Sequence, residues 1–250
     1  MPVHDFRSQR LFLDTPLARG LMIELDASAV NYVVNVLRMK AGARLLVFNG
    51  RDGEWEAELV NAARRQAEIS IGEQTRAQTG GPALTYAFAP LKRARLDYMV
   101  QKATELGVQN LTPVLTDRTV ADRIKLDRMR ANVIEAAEQC GILRVPEISE
   151  PVRLSHWLAA RTSSERPPRL IVCDESAPIA DPVAALSEVT PGPSAVLIGP
   201  EGGFSDAERS AFRAVPDVVV LSLGPRIMRA DTAAVAALTL VNAVIGDWRE

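Results

Sequence analysis

Two short glycine-bearing segments near the C-terminus constrain this chain more than any other feature. The first reads Leu197-Ile198-Gly199-Pro200-Glu201-Gly202-Gly203-Phe204-Ser205. The second reads Leu221-Ser222-Leu223-Gly224-Pro225-Arg226-Ile227-Met228-Arg229-Ala230-Asp231-Thr232-Ala233. Each follows an apolar, strand-like run and leads into a helix-like run. Glycine lets backbone approach a ligand without a side chain in the way, and a helix start offers free N–H groups and positive potential. Ser205-Asp206-Ala207-Glu208 matches a capping box, which predicts a helix from about Asp206. Asp231 or Thr232 is expected to start the final helix. Two such turns close together predict a cradle built mostly of backbone, suited to a nucleotide or nucleoside-like cofactor. Either turn alone is equally compatible with a plain strand-to-helix connection, and Arg226 with a solvated side chain.

Several common cofactor signatures are missing. No G-x-G-x-x-G supports a dinucleotide site, and no Gly-Lys-Ser/Thr supports a P-loop. No G-x-S-x-G elbow points to an α/β-hydrolase. Cys140 and Cys173 are the only cysteines and there are two histidines, so neither a disulfide framework nor a zinc site is expected, and reduced thiols imply a cytoplasmic protein. No apolar run approaches the roughly 20 residues that span a bilayer. Met1-Pro2-Val3-His4-Asp5-Phe6-Arg7 leads into no apolar core of a signal peptide. A formal net charge of −2 neither announces nor excludes a nucleic-acid partner, because local basic patches decide that.

The first 70 residues or so read as β-rich. Short apolar or alternating runs occur at Arg10–Leu13, Gly20–Leu25, Arg44–Phe48, Glu54–Val60 and Gln66–Ile71, with turn signals at Asn49-Gly50 and Asp52-Gly53. One helix interrupts them, with Ser28 as its candidate cap and Tyr32, Val33, Val36 and Leu37 as its apolar stripe. This pattern predicts a small barrel over residues 1–72. The polar stretch ending in Gly80-Gly81-Pro82 reads as a boundary. From residue 82 to 250, strands alternate with helices, which implies a layered α/β domain. Strands are expected at Leu84–Phe88, Leu111–Leu115, Leu170–Cys173, Ala195–Ile198 and Val218–Leu221, and helices at Arg95–Leu106, Leu126–Cys140 and Ala230–Ile245. The last helix is apolar nearly all round and so must be buried on most sides.

Taken together, the two turns resemble the C-terminal motifs of the SPOUT superfamily of RNA methyltransferases, and specifically its RsmE-like family of 16S rRNA (uracil N3)-methyltransferases. That family carries a Gly-Pro-Glu-Gly-Gly-Phe turn and a later Leu-Gly-x-Arg-Ile-Leu-Arg-x-Glu-Thr-Ala turn. Lys102–Val108 resembles the family's first helix of the catalytic domain, and Glu135–Gly141 with Arg144–Ile148 its next helix and exit. Arg10–Phe12 and Val36–Gly42 resemble its small PUA-like barrel. The resemblance spans nearly the whole chain. It implies a trefoil-knotted α/β methyltransferase domain, a PUA-like RNA-binding barrel, S-adenosyl-L-methionine as cofactor, a homodimer with its interface beside the knot, and 16S rRNA of the small ribosomal subunit as substrate. No metal and no membrane are implied.

By the same resemblance, Leu197, Ile198, Gly199, Pro200, Gly202, Gly203, Leu221, Ser222, Leu223, Gly224, Ile227, Met228, Thr232 and Ala233 are the expected cofactor-binding residues. Arg229 is the candidate for orienting the uracil or stabilising its anion, or alternatively closes a salt bridge. Glu201 and Asp231 are candidates for a base or for orienting Arg229. RNA contacts are expected from Arg38, Lys40, Lys92, Arg93, Lys102 and Arg144, with Arg64, Arg65, Arg95, Arg118, Arg123 and Lys125 as further cations; any one of them could equally be part of a solvated face. Three positions depart from the family pattern: Asp231 in place of Glu, Ala230 in place of a common Thr, and Ile142 in place of a common Arg. Two other functions fit the same residues. One is methylation of another RNA position, such as a ribose 2′-hydroxyl or a different base. The other is a non-catalytic RNA-binding assembly factor.

Overall fold

The computed structural model describes residues 8–120, 124–163, 165–178 and 181–249. The N-terminal heptapeptide and Arg123 lie outside the described residues. The chain forms two compact units: Met1–Gly80 with Ala137–Val145, and Gly81–Ala136 with Pro146–Glu250.

The first unit is a five-stranded sheet. In chain order its strands are β1 (Arg10–Phe12), β2 (Met22–Glu24), β3 (Arg44–Phe48), β4 (Glu54–Ala63) and β5 (Gln66–Arg76), and across the sheet the order is β1-β3-β4-β5-β2. Irregularities between Glu54 and Asn61 interrupt the β4–β5 ladder, and bulges of that kind bend a strand pair. Leu45, Val47, Ala57, Leu59, Ile69 and Ile71 alternate inward to a buried cluster. A one-turn helix α1 (Ala27–Val30) and a π-helical turn (Asn31–Val36) cover it with Ala29, Val30 and Val33. The helix cap differs from the expected Ser28. Asp26 accepts the Ala29 N–H at 2.8 Å, and Ser28 already lies inside the helix. Both residue types cap well, so sequence alone does not choose between them.

The segment 137–145 completes this unit. Ala137 and Leu143 pack on Phe48, and Glu138 accepts the Phe12 N–H at 2.8 Å. Arg10 and Glu54 form an ion pair at 2.9 Å with side chains only 4% and 3% exposed. Arg76 reaches both Glu54 and the Gly141 carbonyl.

The second unit is built on a seven-stranded parallel sheet. Its strands are β6 (Leu84–Phe88), β7 (Asn110–Leu115), β8 (Glu147–Ile148), β9 (Val152–Arg153), β10 (Arg169–Cys173), β11 (Ser194–Ile198) and β12 (Val219–Leu221). They run in the order β12-β10-β11-β6-β7-β8, with β9 also on β7. β6, β10 and β11 are nearly continuous apolar runs, as strands covered on both faces must be. The helices are α2 (Arg93–Glu105), α3 (Leu126–Cys140), α4 (Leu154–Thr162), α5 (Pro182–Ser187), α6 (Asp206–Arg213) and α7 (Ala230–Val244). The last residues of α3 belong to the first unit. Gly107 (φ +77°) and Gly141 (φ +63°) follow α2 and α3 in the left-handed conformation that ends helices. α7 buries Ala230, Ala234, Ala237, Leu238 and Val241, a stripe at helical spacing, and leaves Val235, Leu240 and Val244 half-buried. Among the described residues no helix is long and apolar enough to cross a membrane, and no group of three His, Cys, Asp or Glu could hold a metal ion.

Candidate active site

Three strands end at one level. Cys173, the last residue of β10, pairs with Ile198 at the end of β11 and with Leu221 at the end of β12. In parallel sheets ligands bind beyond such carboxyl ends. Here the three continuations, Asp174-Glu175, Gly199–Gly202 and Ser222–Met228, line a cavity of about 330 Å³. That volume falls in the range of about 300–1,000 Å³ common for small-molecule sites.

The first glycine turn is fixed from below. Phe204 is fully buried and packs edge-on to Phe212, with ring centres 5.2 Å apart. A Cβ on Gly199 would lie 2.9 Å from the Phe204 ring, so only glycine fits over it. Gly203 has φ +68°, donates to the Pro200 carbonyl at 2.9 Å, and leaves no room for a Cβ beside the Glu175 carboxylate. Ser205 then caps α6, as its sequence predicts. Its Oγ accepts the Glu208 N–H at 3.3 Å while Glu208 accepts the Ser205 N–H at 2.9 Å. Glu208 also accepts the Asp117 N–H at 2.8 Å, and Ser205 Oγ donates to Asp117 at 2.6 Å.

In the second turn the Gly224 N–H donates to Ser222 Oγ at 3.3 Å. The final helix begins where the expected Ala230–Ile245 range has it, but neither Asp231 nor Thr232 starts it. Arg229 occupies the cap position in an extended conformation without a side-chain cap, and the helix begins at Ala230. Asp231 is therefore inside the first turn, where its Oδ1 accepts the Thr232 N–H at 3.1 Å and its charge complements the helix dipole.

Charge around the cavity is largely paired. The buried Asp174 carboxylate takes Arg209 Nε at 3.0 Å and the Ser176 N–H at 3.1 Å. Arg209 also reaches Glu175 at 3.0 Å. The Asp174 hydrogen bond, foremost, pushes the Arg209 pKa above its ordinary value. Glu201 pairs with Arg95 at 2.9 Å. Burial pushes the Cys173 thiol up to about 12, so it lines the cavity as a neutral group.

A sequence model described as an RNA methyltransferase domain matches residues 79–242, and one described as an RNA methyltransferase PUA domain matches residues 25–72. The chain belongs to the RNA methyltransferase family. Among relatives of this family member is the Ribosomal RNA small subunit methyltransferase E of Synechocystis, 30% identical over 89% of this chain and 73% of that protein. The protein of the same name from Rickettsia conorii is 28% identical over 93% of this chain and 94% of that one. A Legionella pneumophila methyltransferase solved with bound SAM superposes with a TM-score of 0.82 at 30% identity, covering 95% of this chain and 98% of that one. A Neisseria gonorrhoeae Ribosomal RNA small subunit methyltransferase E bound to S-adenosyl methionine gives 0.85 at 26% identity, covering 97% and 100%. The α/β unit with an N-terminal PUA domain expected from the resemblance is thus the fold of this RNA methyltransferase.

Of the cofactor residues expected from sequence, Ile198, Gly199, Pro200, Gly202, Ser222, Leu223, Gly224, Ile227, Met228 and Ala233 line the cavity, as does Glu201. Leu197 and Leu221 are buried within their strands. Gly203 lies inside its turn, and Thr232 is exposed. Arg229 is exposed, and among the described residues no carboxylate lies within ion-pair distance of it. Sequence reasoning missed Cys173, Asp174 and Glu175, which line the cavity from β10. The signal was present: an acidic pair directly after a fully apolar strand sits where a parallel sheet places ligand contacts.

The expected RNA contacts divide between the units. Arg38, Lys40, Arg64 and Arg65 are exposed in the first unit, and Arg38 holds a left-handed φ of +56° after the π-helical turn. Arg144, in the same unit, donates to the Gly80 carbonyl. In the second unit Lys92 and Arg93 are exposed at the start of α2, while Lys102 pairs with Glu105 at 2.6 Å. Arg118 donates to the Gly202 carbonyl at 2.7 Å.

Proposed function

We propose that this RNA methyltransferase uses S-adenosyl-L-methionine to methylate a uridine at N3 in 16S rRNA of the small ribosomal subunit. The observation that carries the reading is the cavity formed where β10, β11 and β12 end together, walled by both glycine turns. Its residues fit a nucleoside-bearing cofactor. Gly199 to Gly202 and Ser222 to Met228 line the cavity from two turns, with three glycines among them. Relatives named as small-subunit rRNA methyltransferases, and neighbours solved with this cofactor, support the same reading.

The bound cofactor supplies an electrophilic methyl group on its sulfonium. Uracil N3–H is a weakly acidic imide, so its proton leaves at or before transfer. Arg229, exposed and with no carboxylate partner among the described residues, is our candidate to stabilise the uracil anion that results, although Arg226 and not Arg229 lines the cavity. Asp231 and Glu201 are the carboxylates to receive that proton or to orient Arg229. Asp231 accepts the Thr232 N–H, and Glu201 is held by Arg95. The target uridine must be unpaired or splayed, since an N3 edge is hidden inside a base pair. The active form is a homodimer. Its surface draws on the half-buried apolar side of α7 and on Ile227, an isoleucine left 96% exposed at the second turn.

Incubation of small-subunit particles with the cofactor, followed by nucleoside analysis, tests the reading. 3-Methyluridine is the expected product. A ribose methyl or a different methylated base would move the acceptor. No methylation, together with no cofactor binding by calorimetry, would leave an RNA-binding assembly factor.

A further inference from the structure

The outer side of the first glycine turn carries two arginines from different elements. Arg95, in the first turn of α2, pairs through Nη1 with Glu201 at 2.9 Å, and the two side chains are 37% and 44% exposed. Arg118 comes from the loop after β7 and donates through Nη1 to the Gly202 carbonyl at 2.7 Å, its stem lying across Gly202. That loop is itself latched. Asp117 bonds Ser205 and Glu208 at the start of α6, and Thr119 Oγ1 accepts the Thr116 N–H at 2.9 Å. Consecutive residues of one turn, Glu201 and Gly202, thus each hold an arginine, and both of these residues line the cavity. Among the described residues neither arginine has another carboxylate within 4.0 Å.

Each guanidinium has five donors in a planar fork, matched in geometry to phosphate oxygens. Among the described residues Arg118 spends one of them, on the Gly202 carbonyl. Arg95 spends its contact on an exposed ion pair, an interaction worth about 0–1 kcal/mol. A phosphodiester monoanion between the two arginines would gain charge-assisted, bidentate bonds against that small cost.

We propose that Arg95 and Arg118 form a binding site for an RNA backbone phosphate at the lip of the cavity, and that the phosphate displaces Glu201 from Arg95. The site rests on the RNA methyltransferase reading above and deepens it. Glu201 lines the cavity, so its release frees a carboxylate there only once RNA has arrived. Arg118 holds the turn through Gly202 throughout, because its carbonyl bond and its phosphate bonds use different N–H groups.

The test is a double-mutant cycle on the full chain, read by fluorescence anisotropy with a short labelled single-stranded RNA at low and moderate salt. E201Q removes the competing charge, and RNA affinity should rise roughly two- to five-fold at low salt, the whole worth of an exposed pair. R95A should flatten the slope of log affinity against log salt by about 0.7, one fewer counterion displaced from a single strand. In an R95A background the same E201Q change should give no gain. R118A should weaken RNA binding with or without E201Q. An unchanged affinity for E201Q overturns the proposal. So does an equal gain in the R95A background, which would mean bulk charge alone, or failure of the unmodified protein to bind RNA at low salt. Calorimetry with S-adenosyl-L-methionine on the unmodified protein is read separately. Loss of that signal with the cycle intact would sink the methyltransferase reading and leave the phosphate site standing.

Discussion

Gly203→Ala is the most informative single change in the first glycine turn, because two separable terms oppose it. Gly203 sits at φ +68°, and an alanine held in the left-handed region costs roughly 1–2 kcal/mol. The added Cβ would also lie 3.0 Å from Glu175 Cδ and closer still to Oε1, so the carboxylate must swing away. That side chain is 53% exposed and free to move, but moving it breaks the 3.0 Å contact with Arg209, a pair worth about 0–1 kcal/mol. The sum is a loss of roughly 1–3 kcal/mol. For a unit of this size it lowers the melting temperature by about 2–12 °C. Gly202→Ala is the control. Gly202 has no positive φ, and its Cβ would meet only the Arg118 stem at an ordinary 3.5 Å, so its cost should stay within about 0.5 kcal/mol. Adding Glu175→Ala to Gly203→Ala removes the clash and should return part of the loss, a non-additivity confined to residues in contact. Thermal melts followed by circular dichroism measure the parent, the two glycine variants, Glu175→Ala and the double variant. Equal melting temperatures for the two alanine variants would refute the reasoning, as would strict additivity of Gly203→Ala with Glu175→Ala.

Three further outcomes follow from the packing. Glu54→Ala removes the buried carboxylate that pairs with Arg10 and Arg76 and should destabilise the first unit by about 3–5 kcal/mol, measured by urea unfolding. Asp97 accepts Arg128 Nε at 2.8 Å, and that hydrogen bond, before all else, holds its pKa below 3.8. Its contribution is present above that value and lost as pH falls through the lowered folded-state pKa, so Asp97→Asn should flatten the stability profile below about pH 4 and leave it parallel to the parent above. The Cys173 thiol, pushed up to about 12 by burial, should react with a maleimide at pH 8 far more slowly than the exposed Cys140, and the two rates should converge in denaturant. Similar rates in the folded protein would contradict that burial.

Local signals made much of this structure readable in advance. Leu84–Phe88 and Arg44–Phe48 are strands because their apolar runs are bounded by breakers, and both are observed at the expected limits. The Ser205–Glu208 capping box is complete within four residues, so nothing distant alters it. Other features depend on contacts the sequence does not encode locally. Two-residue strands such as β8 exist only because β7 offers a free edge. The strand order, which brings Cys173 level with Ile198 and Leu221, is set by packing across the sheet. Glu201 meets Arg95 across 106 residues, so its pairing was invisible from its own motif. The π-helical turn at Asn31–Val36 keeps an apolar stripe close to that of an α-helix, and periodicity does not distinguish the two.

The return of Ala137–Val145 to the first unit has a consequence for synthesis on the ribosome. The five strands are all made by residue 76, yet the surface of Phe48 and the Phe12 N–H wait for Ala137, Leu143 and Glu138. The nascent first unit therefore remains unfinished while β6, β7 and most of α3 are translated. It is completed only when a stretch more than fifty residues downstream of its last strand has cleared the exit tunnel. A fragment cut at the Gly80 boundary would carry that unfinished surface permanently, and exchange of the first unit between proteins would have to move two pieces of gene rather than one.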